Sequence, residues 1–571
     1  MASRAPAEKE KLEALAQMDL VRILRAYILA VVSAAQGYKA LLVDKETMRI
    51  ASTLLGRTEL GEHGIVLVER LETTGKDHHE LKAMCFIRPT RENMTLLKKE
   101  LRSPRFQSYS LYFTNLVSPV HLQELAEADA VKELVQEVQE YYGDFVAIDP
   151  HHFTIPCPRN ELFIGQRSGQ PSQEFQRGSD HTQRLADSLY QLTYKQQYSI
   201  FDFGARSNPI VLILDRKDDP VTPLLTQWTY QAMLHEMMGL NDGTVTLKNV
   251  EKDADPAARE MVLDPAQDEF YRKHIFANYG DVAVDVKALM DQFQTKTEKH
   301  KQVESLDDMK RFIAEHLDFT KLQGNVTKHV NIMSEIKEII QTRNLLDVSS
   351  AEQELANPAT NLSAAASYEE VMRLLRMPGI EDKDKIRLAM LYCLRFEGDM
   401  LKLQQISEFL STAGIKDKNP KLFSCVEAVL QYAGNSKRAG DLYASRTIMG
   451  RAMTMFKGMQ DVKNVYTQHT PLLTSTLSML SQDKLDLVAY PYMAGNQEEA
   501  MTYQAAFKHS PPREAIVFII GGSTYEESKC VHDWNERNPH LRVLLGGSAV
   551  LNSNSFLTAL SGGTDIDDDL T

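Results

Sequence analysis

The stretch LILDRKDDPVTPLLTQWTYQ, Leu212–Gln231, sets an apolar run against three carboxylates, Asp215, Asp218 and Asp219, and then returns to apolar and aromatic residues. Extended back to Pro209, the run PIVLILD reads as a strand that is apolar on both faces. Such a strand is stable only inside a largely parallel sheet, with a neighbour on each side. Far downstream, EAIVFII (Glu514–Ile520) and LRVLLGG (Leu541–Gly547) have the same character and no sheet of their own. From about Asp268 to Gln497 the pattern between them is almost entirely helical, without a fixed repeat. The simplest arrangement is one α/β domain split in sequence, with a helical region inserted into it.

Toward the N-terminus, Lys39–Pro150 alternates short apolar runs (KALLVD, GIVLVERL, AMCFIRP, SLYFTN, DFVAID) with helical spacing in RENMTLLKKELRS and SPVHLQELAEADAVKELVQEVQEYY. That alternation predicts a first α/β domain built on a parallel sheet. Gln, Gly, Ser and Pro dominate Cys157–His181, which reads as a linker or loop. The expected fold class is α/β plus α, with domains at 20–150, 151–255, 256–500 and 501–571.

With 571 residues, 43% hydrophobic and 25% charged, the chain has the composition of a multi-domain globular protein rather than a disordered one. A formal net charge of −14 argues against an extended nucleic-acid or anionic-lipid footprint. The cysteines, Cys85, Cys157, Cys393, Cys425 and Cys530, are odd in number and contain no Cys-x-x-Cys pair. This suits a reducing compartment, with Cys85 and Cys393 as core residues. The apolar stretch AYILAVVSAA, Ala26–Ala35, is about half the length of a membrane span. A cytosolic protein with no anchor of its own is expected.

The chemical motifs are weak. Thr222 before Pro223 reads as a helix start, and Asp218 and Asp219 suit its dipole or pair with Arg216 and Lys217, so the carboxylates read as architectural. Gly521 and Gly522 follow a strand, but neither a P-loop nor a dinucleotide fingerprint is present, and Thr524 with Glu527 forms a capping box that occupies the amides a phosphate would use. The pairs His78/His79 and His151/His152 lack metal-site spacing and are expected to face solvent. Trp228 is open to two readings, core filler or the wall of a binding cavity. The alternative to a binding protein is a nucleotide- or metal-dependent α/β hydrolase using Asp215 and the Gly521 turn.

The segments LLVDKETMRI, CFIRPTRENM, VQEVQEYYGDFVAIDP, LILDRKDDPVTPLLTQWTYQAMLHEMMGL, NVYTQHTP, YPYM and VFIIGGSTYEE span nearly the whole chain. Together they resemble the SM family of syntaxin-binding chaperones of SNARE assembly, most closely its branch named for vacuolar protein sorting. The resemblance implies an arch with an α/β first domain, a split α/β second domain and an inserted helical third domain. It implies no catalytic residue, cofactor or metal. The implied partners are a syntaxin-type SNARE and the assembling SNARE complex, with no nucleic acid. It also implies a cytoplasmic monomer, held peripherally at Golgi and endosomal membranes through its SNARE partners.

Three sites follow from the resemblance. A pocket for the syntaxin N-terminal peptide maps to Leu122, Ala126, Leu134 and Val138, expected as two helical i, i+4 pairs. A syntaxin cleft maps to Asp44, Arg49 and Glu69, with Trp228 farther along. A SNARE-templating hairpin maps to Phe319, Leu322, Val326, Val330 and Met333, an apolar stripe at helical spacing in which Gly324 invites a bend. Leu317 stands where some relatives carry a proline, and Cys157–His181 replaces a Gly/Leu-rich helix and strand usual in the family.

Overall fold

The computed structural model describes residues 18–155, 180–196, 209–248, 259–300, 306–357, 363–443, 466–502 and 511–562, apart from a few positions within those ranges. The chain divides into two compact units, one of Met1–Cys157 with Leu544–Gly546, the other of Pro158–Val543 with Gly547–Thr571. Most of the Cys157–His181 stretch lies outside the described residues.

The first unit opens with α1 (Leu20–Ser33), whose N-terminus is capped by the Asp19 side chain. Leu20, Leu24, Ile28, Val31 and Val32 recur along it and are buried, as an amphipathic helix requires. Five strands follow: β1 (Lys39–Val43), β2 (Ile65–Arg70), β3 (His78–Ile87), β4 (Phe106–Phe113) and β5 (Val135–Glu140). They form one sheet in the order β2-β1-β3-β4-β5, with every neighbouring pair parallel. The helical crossovers include α2 (Lys45–Leu54), α3 (Arg91–Arg102) and α4 (Pro119–Asp129). One core joins Ala83, Cys85 and Ile87 of β3 to Leu97 and Leu101 of α3 and Leu125 of α4.

Two expectations fail in this unit. The single helix expected across Ser118–Tyr142 is a helix and then a strand. Both carboxylate oxygens of Asp129 accept backbone N–H groups, from Leu134 at 2.9 Å and Val135 at 3.1 Å. Glu133 takes a left-handed φ of 50°, so the chain reverses there and β5 joins the sheet edge. His152 is fully buried rather than solvent-facing, because β7 (His152–Thr154) pairs with β6 (Val146–Asp149) in a hairpin and directs the ring inward. Within this unit the Leu545 N–H donates to the His151 carbonyl at 2.8 Å. A Cβ at Gly546 would stand 2.3 Å from the Phe153 ring, so the approach needs glycine.

In the second unit α5 (Asp180–Tyr190) precedes β8 (Ile210–Asp215). β8 lies parallel to β11 (Glu514–Ile520), from Ile210 opposite Ala515 to Asp215 opposite Ile520. The shared sheet expected of these distant runs is therefore present. Between them come α6 (Tyr230–Met233), the short antiparallel pair β9 (Thr244–Thr246) and β10 (Glu260–Val262), and α7 (Glu269–His274). The helices α8 (Tyr279–His300), α9 (Leu306–Thr342), α10 (Leu345–Ala356), α11 (Ala364–Arg376), α12 (Asp382–Arg395), α13 (Met400–Thr412), α14 (Pro420–Ala433) and α15 (Leu472–Ser481) continue the insertion. After β11 come α16 (Tyr525–Arg537), β12 (Arg542–Gly547) and α17 (Ser553–Leu560). A single apolar cluster joins Val221, Leu224 and Leu225 to Leu391 of α12, Val429 of α14 and Phe556 of α17.

The long helix expected from Thr222 is replaced by a 3-10 turn at Thr222–Leu224, then an extended segment, then α6. Tertiary partners take the amides a helix would have used. Thr226 N–H donates to Glu352 at 2.7 Å, and Tyr230 and Gln231 N–H donate to the carbonyls of Ala277 and Ile275 at 2.9 and 3.2 Å. With its backbone groups satisfied elsewhere, the segment has no need of a helix despite its composition.

Candidate functional site

The opening carboxylates are structural. Asp219 is buried and accepts from Thr222 N–H at 3.0 Å and Thr222 Oγ1 at 2.7 Å, and from Leu472 N–H at 3.1 Å. Burial alone would raise its carboxyl, but Arg216, His469 and Thr222 more than offset this and hold it below the usual range. Arg216 is buried too, and donates to the Gly522 carbonyl at 3.0 Å and to Glu527 at 2.6 and 2.7 Å. Glu527 and Thr524 form the capping box of α16. Gly521 and Gly522 have φ of 93° and 105°, and a Cβ on Gly521 would meet Arg216 at 2.8 Å. The turn that resembled a phosphate cradle is thus filled by an internal ion pair. Among the described residues no group of histidine, cysteine and carboxylate side chains could hold a metal ion.

Exposed apolar side chains lie on α4 and on β5, the edge strand of the first unit's sheet. Leu122, 38% exposed, and the exposed Ala126 share the outer face of α4, while Leu125 and Ala128 on the inner face are buried. Lys98 of α3 ties α4 down through Glu124 at 2.8 Å. Leu134 is half-buried and packs on the core. Val138 is 45% exposed on β5 opposite Leu111. Leu134 immediately precedes β5 and Val138 lies within it, beyond a register irregularity between Val135 and Glu137, so the two are not a helical i, i+4 pair. Three further exposed apolar residues, Leu116, Val120 and Val131, flank or begin α4 and escaped sequence reasoning, because periodicity does not tell an exposed apolar side chain from a buried one.

The residues assigned to a cleft separate by unit. In the first, Asp44 is buried at the end of β1. Its carboxylate accepts from Glu46 and Thr47 N–H at 2.9 and 2.8 Å, and from Arg88 N–H and Asn93 Nδ2 at 2.7 Å each. Four donors occupy its lone pairs, so Asp44 locks β1, α2 and β3 together. Glu69 lies one strand over, opposite Leu42, and accepts from Arg105 at 3.1 Å. Arg49 is half-buried on α2, just past the capped end. In the second unit Trp228 is 4% exposed. Its Nε1–H donates to Ser349 Oγ at 2.7 Å, and its ring centroid lies 5.0 Å from that of Tyr466. Trp228 is therefore buried and bonded within the second unit.

The apolar stripe falls on α9, which with α8 makes a helical hairpin. α9 is one helix through Gly324, which is exposed with open space around it. Val326 and Met333 are buried, and Val330 is half-buried. The side chains of Phe319 and Leu322 lie outside the described residues.

Comparison with known proteins gives this geometry a context. The Sec1 family profile matches residues 39–203 and 194–559. A vacuolar protein sorting-associated protein 45 homolog of Arabidopsis thaliana is 37% identical over 573 residues, which cover 95% of this chain and 98% of that protein. The human vacuolar protein sorting-associated protein 45 is 37% identical over 566 residues, 95% of each chain. A solved structure of the SM protein Vps45 in complex with the Qa SNARE Tlg2 superposes with a TM-score of 0.83 at 32% identity, over 96% of this chain and 98% of that one. Its fold, its motifs and these near-full-length matches agree: the chain belongs to the Sec1 family, the SM proteins.

Proposed function

We propose that the chain binds a syntaxin-type SNARE and templates SNARE-complex assembly for vesicle docking and fusion in trans-Golgi and endosomal protein transport. What supports this reading is its likeness, at a TM-score of 0.83 and 32% identity, to an SM protein solved with a Qa SNARE. The physical logic is that isolated SNARE segments are disordered, so starting their helical bundle carries a large ordering cost. A folded surface that holds one segment in register lowers that cost.

The peptide-docking surface is assigned to Leu122, Ala126, Leu134 and Val138, to which Val120 and Leu116 add exposed apolar area. Arg49 and Glu69 are assigned to contact with the syntaxin helices, Asp44 fixing the strand end beneath them. The half-buried Val330 of α9, between the buried Val326 and Met333, is assigned to contact with the second SNARE. On this reading residues 20–150 form the domain that docks syntaxin, and 256–500 the one that carries the hairpin.

The hydrolase alternative loses both of its anchors. Asp215 accepts the Lys217 N–H of its own turn at 3.0 Å, and the Gly521 turn is closed by Arg216. The chain is therefore read as a binding protein rather than an enzyme. Among the described residues no helix is long and apolar enough to cross a membrane, so Golgi and endosomal membranes are assigned as sites reached through the SNARE partner. Titration calorimetry with the cytosolic domains of the source cell's syntaxins tests the reading. Saturable binding of at least one supports it, and binding of none contradicts it.

A further inference from the structure

The root of the α8–α9 hairpin is held by an arrangement that neither the family likeness nor the proposed sites involve. His274, the last residue of α7, is 5% exposed. Its Nδ1 lies 2.7 Å from the Phe270 carbonyl and its Nε2 lies 2.7 Å from Asp285 Oδ2, on α8. A backbone carbonyl and a carboxylate are both acceptors only. A neutral imidazole carries one N–H and can satisfy one of them; the imidazolium carries two and satisfies both.

A second histidine in the same cluster behaves differently. His329 of α9 is fully buried, with Nε2 3.1 Å from Asp268 and Nδ1 2.8 Å from the Tyr230 hydroxyl. The hydroxyl can donate, so a neutral His329 ring is fully satisfied. Phe270 lies between the two histidines, its ring centroid 4.0 Å from that of His274 and 4.5 Å from that of His329. Lys328 adds an ion pair to Asp268 at 2.8 Å. α7 thereby grips both arms of the hairpin, α9 through Asp268 and α8 through His274.

We propose that His274 and Asp285 form a proton-dependent clamp on the first arm of the hairpin, closed when the imidazole carries both protons and loosened when it loses one. Charged and titratable groups from several elements surround it. Asp285 faces the ring from α8, with the exposed Asp281 one turn earlier. Lys328 and His329 come from α9, Tyr230 from α6, and Asp268, Glu269, Arg272 and Lys273 from α7 and its cap. His532 of α16 stacks on Phe276, two residues beyond His274. Both ring nitrogens face acceptors, so only the ring that carries two protons donates to each, and the clamp closes on protonation and opens on its loss.

Hydrogen exchange of the full chain, followed in peptides covering residues 279–295, tests the clamp without any SNARE, so its failure would leave the proposed function untouched. After correction for intrinsic exchange, the wild-type segment is expected to exchange about threefold faster near pH 8 than near pH 6, the scale of one ion-paired hydrogen bond whose Asp285 carboxylate is half exposed to solvent. In Asp285→Asn the amide can accept from a charged ring or donate to a neutral one. That variant is expected to stay folded with protection that does not vary over this pH range. His274→Gln is expected to exchange fast at both values. Wild-type protection that is the same at both pH values, or a pH response shared by the wild type and Asp285→Asn, would overturn the clamp.

Discussion

Arg216 and Glu527, 311 residues apart in the chain, are joined by hydrogen bonds of 2.6 and 2.7 Å from one guanidinium nitrogen to both carboxylate oxygens. Both side chains are buried, and the pair fastens the turn after β8 to the capped start of α16. Removing one partner strands the other charge in the interior. Arg216→Met is expected to cost about 3–5 kcal/mol, measured by urea unfolding. The double variant Arg216→Met/Glu527→Met is expected to recover part of that loss, since Glu527 is no longer left without its cation, although Asp219 still loses the guanidinium that holds its carboxyl down.

Burial pushes the His152 ring down to about 4, only partly countered by Asp149. The unfolded chain takes up this proton near pH 6.5, whereas the folded chain does not until about pH 4. Stability contributed by the neutral ring is therefore fully present above about pH 6.5 and is lost as pH falls toward about 4, by about 3 kcal/mol in all. His152→Gln is expected to remove that slope from urea midpoints measured across the interval. An unchanged slope would mean that other groups carry the acid sensitivity.

Leu122→Arg is expected to abolish binding of a syntaxin N-terminal peptide while shifting stability by no more than about 0.5 kcal/mol, because the side chain is exposed on the outer face of α4. Leu125→Arg, three residues on and buried, is expected to unfold the domain. Fluorescence anisotropy with a labelled peptide, read beside thermal melts of both variants, separates a docking surface from a packing surface.

Arg49→Glu reverses a half-buried charge on α2 without touching the Asp44 capping box. It is expected to weaken binding of the full syntaxin cytosolic domain more than binding of the isolated N-terminal peptide. Equal losses in calorimetry would count against a contact separate from the peptide site.

The sequence was most legible where a pattern depends on neighbouring residues. The apolar runs at Ile210–Asp215 and Glu514–Ile520 do share a sheet, and Thr524 does cap the helix that Glu527 enters. It was least legible where a distant group decides the backbone. Val135 and Val138 are three apart, a spacing common to helices, and only the ladder with β4 reveals the strand. Leu225–Thr229 follows the Thr222–Pro223 helix start, yet Glu352 fixes its extended path by taking the Thr226 amide. Among the site residues, Leu122 and Val138 are exposed as a docking surface requires, whereas Asp44 and Trp228 are buried and bonded. No local pattern announces either outcome, since an aspartate at a strand end serves equally as a cap or a contact. The two acceptors around His274 are invisible for the same reason, because one is a backbone carbonyl and the other lies on the next helix.

The rate at which purified SNAREs assemble in the presence of this chain tests the templating account most directly. With reconstituted vesicles carrying the cognate syntaxin and its partners, the wild-type chain is expected to accelerate complex formation and fusion. Val330→Asp, on the half-buried side of α9, is expected to remove most of that acceleration while syntaxin binding and the thermal melt are preserved. Acceleration undiminished in a folded Val330→Asp protein, or none with the wild type, would contradict the account.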